Sequence, residues 1–112
     1  MPGVLDGVRV LDFGRYIAGP YCATMLGYLG AEVIRVEKID GGEDRYVYPL
    51  FWNEDGSEGD GSMFMQIGVN KKSVTLNPAK PEGREIVKKL VGTAGVVVAN
   101  LPMPAMKSLG LD

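Results

Sequence analysis

A chain of 112 residues with 46% hydrophobic and 23% charged side chains is long enough for one domain with a modest core. It holds no histidine and one cysteine, which excludes Ser–His and Cys–His dyads, the commonest zinc ligand and any internal disulfide. The net charge of −2 hides an asymmetry, because residues 40–62 carry seven acids and one base while the remainder carries eleven bases and seven acids. A cationic body suits an anionic small ligand, although a solvated surface of mixed charge accounts for the same count.

In chain order, residues 8–13, VRVLDF, are apolar and β-branched and predict a first, buried strand. The turn FGRYIAGPY follows, and Pro20 suits the first position of a helix, where a missing N–H costs nothing. Tyr21, Cys22, Met25, Leu26 and Leu29 recur on one face of that helix and are expected to be its buried side, with Cys22 a core residue. Gly30 is placed as its left-handed cap. Residues 31–37, AEVIRVE, predict a second strand.

Residues 40–62 read as a long acidic loop, and Tyr46, Tyr48, Phe51 and Trp52 set it apart from plain disorder. These rings suit stacking on a flat base, or docking of the loop onto a partner. Residues 73–77, SVTLN, predict a short strand preceded by Lys71 and Lys72. Pro81 opens a second helix, PEGREIVKKLVGTA, with Glu82 and Glu85 near its positive end, Lys88 and Lys89 near its negative end, and Ile86, Val87, Leu90 and Val91 as its buried stripe. Residues 95–101, GVVVANL, form the most strongly β segment and are expected at the centre of a parallel sheet. The chain then closes on a turn with one helical turn.

The order β-α-β-loop-β-α-β predicts an α/β fold with a Rossmann-like parallel sheet. In such folds ligands lie outside the carboxyl ends of the strands, near a helix N-terminus. FGRYIAGPY occupies that position. Gly14 and Gly19 either admit a ligand to the backbone or let the helix sit close on the sheet, and spacing alone does not choose. No G-x-G-x-x-G fingerprint follows the first strand and no Walker motif exists, which counts against an NAD(P)-type site built on Glu37 and Lys38. Lys38 suits a phosphorylated ligand or a surface ion pair. Lys71 and Lys72 suit a phosphate pair or solvated charge. Asn100 suits a ligand contact or a tie to the next turn.

Taken together, LDGVRVLDF, AGPYCATMLGYLGAEVIRVE, NKKSVTLN, KPEGREIVKKL and VVVANL…LGLD resemble, in order and spacing, the N-terminal portion of the class III coenzyme A-transferases, a family that also includes α-methylacyl-CoA racemases. The resemblance covers nearly the whole chain except the acidic loop. It implies a single domain over residues 1–112 that binds CoA or an acyl-CoA. Longer members transfer CoA between carboxylic acids through an acyl-aspartate intermediate.

Carried over by position, the CoA contacts would be Tyr16, Ile17 and Ala18, then Lys38, Leu76, Asn100 and Leu101, with Lys71 and Lys72 added as candidate phosphate contacts. The chain departs from the family where Leu101 replaces an aromatic residue, where Pro102, Met103 and Pro104 replace an arginine–proline–glycine, and at Ser108, usually basic. Ala79 stands where a lysine is usual, with Lys80 beside it. No residue maps onto the catalytic aspartate. The resemblance therefore implies CoA recognition without turnover, with no catalytic residue and no metal in this chain. A non-catalytic, self-associating module is the alternative. A cytoplasmic homo-oligomer is expected, with no nucleic-acid or membrane partner, since no secretory signal and no apolar run of about 18–20 residues is visible.

Overall fold

Val10, Leu11, Val33, Ile34 and Val36 are buried, which marks β1, Arg9–Asp12, and β2, Glu32–Glu37, as strands covered on both faces. The computed structural model describes residues 3–39, 41, 43–46, 50–77 and 80–111. The expectations placed on Tyr48 and Ala79 lie outside the described residues. β5, Lys71–Thr75, and β6, Val96–Val98, flank the two middle strands in the order β5-β2-β1-β6. All three pairings are parallel. Counted among the parallel strands alone, the order is third, second, first, fourth, as at the centre of a doubly wound dinucleotide-binding sheet.

The helices cover both faces. α1, Ala18–Tyr28, packs on a core of Val10, Ala23, Ala31 and Val33. On the other face Leu11, Phe13, Ile34, Val36 and Leu76 meet Val87 of α3, Pro81–Thr93, and Leu109 of α4, Met103–Leu109. Successive strand residues point to opposite faces, so each middle strand feeds both cores. Between β2 and β5 lie a 3-10 helix, Glu43–Tyr46, a two-stranded antiparallel hairpin of β3, Leu50–Trp52, and β4, Glu58–Gly61, and then α2, Ser62–Ile67. Among the described residues no helix is long and apolar enough to cross a membrane.

Several expectations are corrected. The fully buried face of α1 is Gly19, Pro20, Ala23, Thr24 and Gly27, and of the expected stripe Leu26 packs half-buried against the core. Tyr21, Cys22 and Leu29 are exposed. The reason is distance: a Cβ on Gly27 would stand 3.3 Å from Val33 Cγ2, and one on Gly19 would stand 2.7 Å from both Gly14 Cα and Asn100 Oδ1. The helix lies so close to the sheet that only small residues fit beneath it. Gly30 does take the positive φ, 108°, that ends the helix.

In α3 the contact runs through Gly83, Val87 and Leu90, whereas Ile86 and Val91 face outward. Strand β6 is shorter than residues 95–101 and lies at the sheet edge rather than its centre, with Val96 and Val97 37% and 41% exposed. An apolar run implies two-sided burial only if something covers both sides. The acidic stretch holds a hairpin rather than plain loop, β5 begins two residues early at Lys71, and the closing helix is two turns long.

Gly19→Ala is expected to lower unfolding stability by about 1–3 kcal/mol, because Cβ meets backbone on one side and Asn100 on the other. Gly92→Ala, in α3 with nothing within 4 Å of its would-be Cβ, is expected to raise it by about 0.5 kcal/mol. Chemical denaturation of the two variants beside the parent chain checks this opposition of sign.

Candidate functional site

The strand register sets Asp12 level with Arg35 and Val98, and Arg35 level with Ser73. The segments that leave β1, β2, β5 and β6 therefore emerge on one edge of the sheet. Tyr16, Ile17, Ala18, Lys38, Leu76, Asn100 and Leu101 all lie in those segments. Lys71 and Lys72 do not: they are level with Val33 and Ile34, at the start of β5.

The loop after β1 is held through its backbone. Phe13 N–H donates to Val98 O at 2.8 Å. The next three N–H groups each meet a side chain. Gly14 donates to Asp12 Oδ1 at 2.8 Å, Arg15 to Asn100 Oδ1 at 2.8 Å and Tyr16 to Asp44 Oδ2 at 3.1 Å. Asn100 Nδ2 donates back to Arg15 O at 3.0 Å. Of the two roles open to Asn100, its amide takes the loop-fixing one.

The same loop carries Tyr16 at φ 62°, an uncommon conformation for a bulky residue. It leaves Tyr16, Ile17 and Ala18 exposed at the head of α1, which has no side-chain cap. Leu76 is buried in the core, so its backbone is what it can offer outward. Leu101 is half-buried and packs against that core.

Beneath this edge lies a cluster of charges. Arg35 and Glu37, two apart on β2, share one face and are each 2% exposed. Arg35 Nε donates to Glu37 Oε1 at 2.5 Å and Arg35 Nη2 to Asp44 Oδ1 at 2.6 Å. Arg45 closes the set on Glu37, with Nε–Oε2 at 2.7 Å and Nη2–Oε1 at 2.9 Å. The Phe64 ring of α2 receives both guanidinium groups, with Arg45 at 4.4 Å and Arg35 at 5.2 Å from its centre. Burial alone would raise the Glu37 pKa, but the hydrogen bonds from Arg45 and Arg35 hold it below the ordinary range. Burial would likewise lower that of Arg35, and Asp44 and Glu37 outweigh it and raise it.

Three of the charges weighed in the sequence are ion-paired. Glu37, weighed with Lys38 as part of an NAD(P)-type site, is held by two arginines below the surface. Lys71, weighed as a phosphate ligand, is buried with Nζ 2.8 Å from Asp12 Oδ2 and 2.9 Å from Pro20 O. Lys72 pairs with Glu32 at 2.8 Å, on the amino side of β2. Asp12, Arg35, Asp44 and Arg45 escaped the sequence reading. The available signal was Arg35 inside an otherwise apolar strand, since a buried charge requires a partner.

Comparison with known proteins gives one consistent result. The sequence model of CoA-transferase family III matches residues 5–112. Over 108 residues the chain is 38% identical to the (R)-2-hydroxy-4-methylpentanoate CoA-transferase of Clostridioides difficile, covering 96% of this chain and 27% of that protein. Over 108 residues it is 39% identical to the mouse (Mus musculus) succinyl-CoA:glutarate CoA-transferase, covering 96% and 24%. The crystal structure of a CAIB/BAIF family protein from Brucella suis superimposes with a TM-score of 0.86 at 34% identity, over 100% of this chain and 29% of that one. The chain thus spans about a quarter of the length of the curated relatives it matches.

Because the Glu37 pKa is lower in the folded protein, its contribution is complete above about pH 4.3, the unfolded value, and is lost as pH falls from there through the folded value. Glu37→Gln is expected to destabilise the chain by about 3 kcal/mol at neutral pH, since it strips a buried carboxylate from two arginines. It should also flatten the acid limb of the stability curve. Denaturant titrations between pH 3 and 7 compare the slopes.

Proposed function

We propose, from the premise that the chain belongs to CoA-transferase family III, that residues 1–112 are a CoA-recognising domain within a CoA-transferase and bind CoA or an acyl-CoA at the carboxyl edge of the sheet. The observation that carries this reading is the gathering of four strand-end segments on that edge, with the first held by Asp12, Asn100 and Asp44. Tyr16, Ile17 and Ala18 offer backbone and exposed side chains to the nucleotide. Lys38 supplies positive charge to a phosphate. Leu76 contributes through its backbone, Leu101 adds apolar contact, and Asn100 acts by fixing the loop. Lys71 and Lys72 fall outside this set because of their pairing with Asp12 and Glu32.

The acyl-carrying carboxylate of the reaction comes from outside residues 1–112 on this reading. Covalent catalysis at that carboxylate splits one difficult acyl transfer into two easier ones. No metal takes part, and the protein works in the cytoplasm as a homo-oligomer. A second reading, a self-associating module without ligand, has its own support. Val96 and Val97 are exposed on the edge strand β6, beside an apolar groove lined by Val87, Val91, Ala99, Met106 and Leu111.

CoA at millimolar concentration is expected to raise the melting temperature of the chain, by an amount set by its excess over Kd. No shift, together with concentration-dependent association in light scattering, would favour the second reading. Lys38→Ala is expected to weaken CoA about fivefold and 3′-dephospho-CoA much less if Lys38 faces the ribose phosphate; calorimetric titration with both ligands measures the difference. An acyl-CoA transfer assay on the 112 residues alone should give no turnover.

A further inference from the structure

We infer that Asp44 is a positioning residue that couples the acidic segment to the ligand-facing loop, holding Tyr16 in its left-handed conformation. The functional part of this inference rests on reading the carboxyl edge as the CoA site.

Asp44 is fully buried, and its two carboxylate oxygens do different work. Oδ1 accepts from Arg35 Nη2 at 2.6 Å, which neutralises the buried guanidinium. Oδ2 reaches across to the N–H of Tyr16 at 3.1 Å. Neutralising Arg35 requires only the first contact. The second joins two segments 28 residues apart and ends on a bulky residue with φ 62°. Such a backbone conformation persists only where its surroundings impose it.

The other two clamps on this loop differ in origin. Asp12 ends β1 and Asn100 follows β6 closely, so both are set by the sheet. Asp44 sits in the 3-10 helix, whose placement depends on Arg35 from β2, on Arg45 gripping Glu37, and on the Phe64 ring of α2. Tyr16 is thus the point where the arrangement of the acidic segment reaches the loop. If that clamp opens, the loop samples other conformations, and ligand affinity falls by the fraction of time it is no longer competent.

The test uses the 112-residue chain, first without ligand. In amide NMR spectra, Asp44→Asn is expected to shift the Tyr16 N–H strongly, change its HN–Hα coupling and speed its exchange, while amides of β1 and β2 stay in place. Glu32→Gln removes an ion-paired carboxylate at the other end of β2, where Arg9 and Lys72 hold it, and should leave Tyr16 nearly unmoved. An unchanged Tyr16 signal in Asp44→Asn, or an equal change in Glu32→Gln, overturns the inference. If Asp44→Asn does not fold, the parent chain decides. A scalar coupling across the hydrogen bond from Tyr16 nitrogen to the Asp44 carboxyl carbon supports the clamp, and its absence refutes it.

CoA titration then follows. Asp44→Asn should weaken binding about tenfold and Glu32→Gln by less than about twofold. CoA binding that is identical in Asp44→Asn and the parent sinks the positioning role. A moved Tyr16 signal with no CoA binding in either chain leaves the clamp standing and removes the CoA reading instead.

Discussion

Arg35 has to be neutralised inside the protein, and much of the structure follows from that requirement. It lies on a middle strand of the sheet and is 2% exposed. An unpaired guanidinium there would cost more than the fold can supply. Its own strand provides Glu37, two residues on and on the same face. Asp44 completes the pairing from the acidic segment. That segment brings Arg45, which returns to Glu37, and the Phe64 ring covers both arginines. The acidic stretch is thereby drawn onto the carboxyl edge of the sheet, with α2 tied to α1 where Thr24 Oγ1 meets Ile67 O.

A second buried pair works on the same, α1-covered face, since Asp12 is level with Arg35 and Lys71 with Val33. Asp12 and Lys71 join the end of β1 to the start of β5, and Lys71 also holds the carbonyl of Pro20 in the first turn of α1. The remaining oxygen of Asp12 turns the chain by accepting from Gly14 N–H. Among the described residues no buried side-chain nitrogen or oxygen lacks a partner. The loop at the proposed ligand edge is set by three side chains, two of which also neutralise buried cations.

Much of the fold was legible because it rests on local chemistry. The apolar, β-branched runs at VRVLDF and AEVIRVE, the proline that opens α3 and the glycine after α1 state their structures within a few residues, whereas α1 begins two residues before Pro20. The gathering of four strand-end segments on one edge was legible too, since it follows from a parallel α/β order. Burial was less legible. Side-chain size suggested that the large residues of α1 faced inward, but Gly19, Ala23 and Gly27 let that helix approach the sheet until nothing larger fits. The GVVVANL run has a centre-strand composition and an edge position, because a strand's neighbours are not written in the strand itself.

The sequence by itself determined the order of the four parallel strands and of α1 and α3, the parallel α/β class and the family, because these depend on periodicity, turn chemistry and matched spacing along the chain. Only the tertiary structure decided the work of each charge. Glu37, Lys71 and Asn100 each read either as a ligand group or as a structural tie, and each meets a partner outside its own strand: Arg45, Asp12 and the backbone of Arg15. Asp44 read as one acid among seven in a loop, and it proved to be a link between that loop and the backbone of Tyr16. Charge pairing acts across space rather than along the chain, so residue type and spacing name the groups without naming their partners.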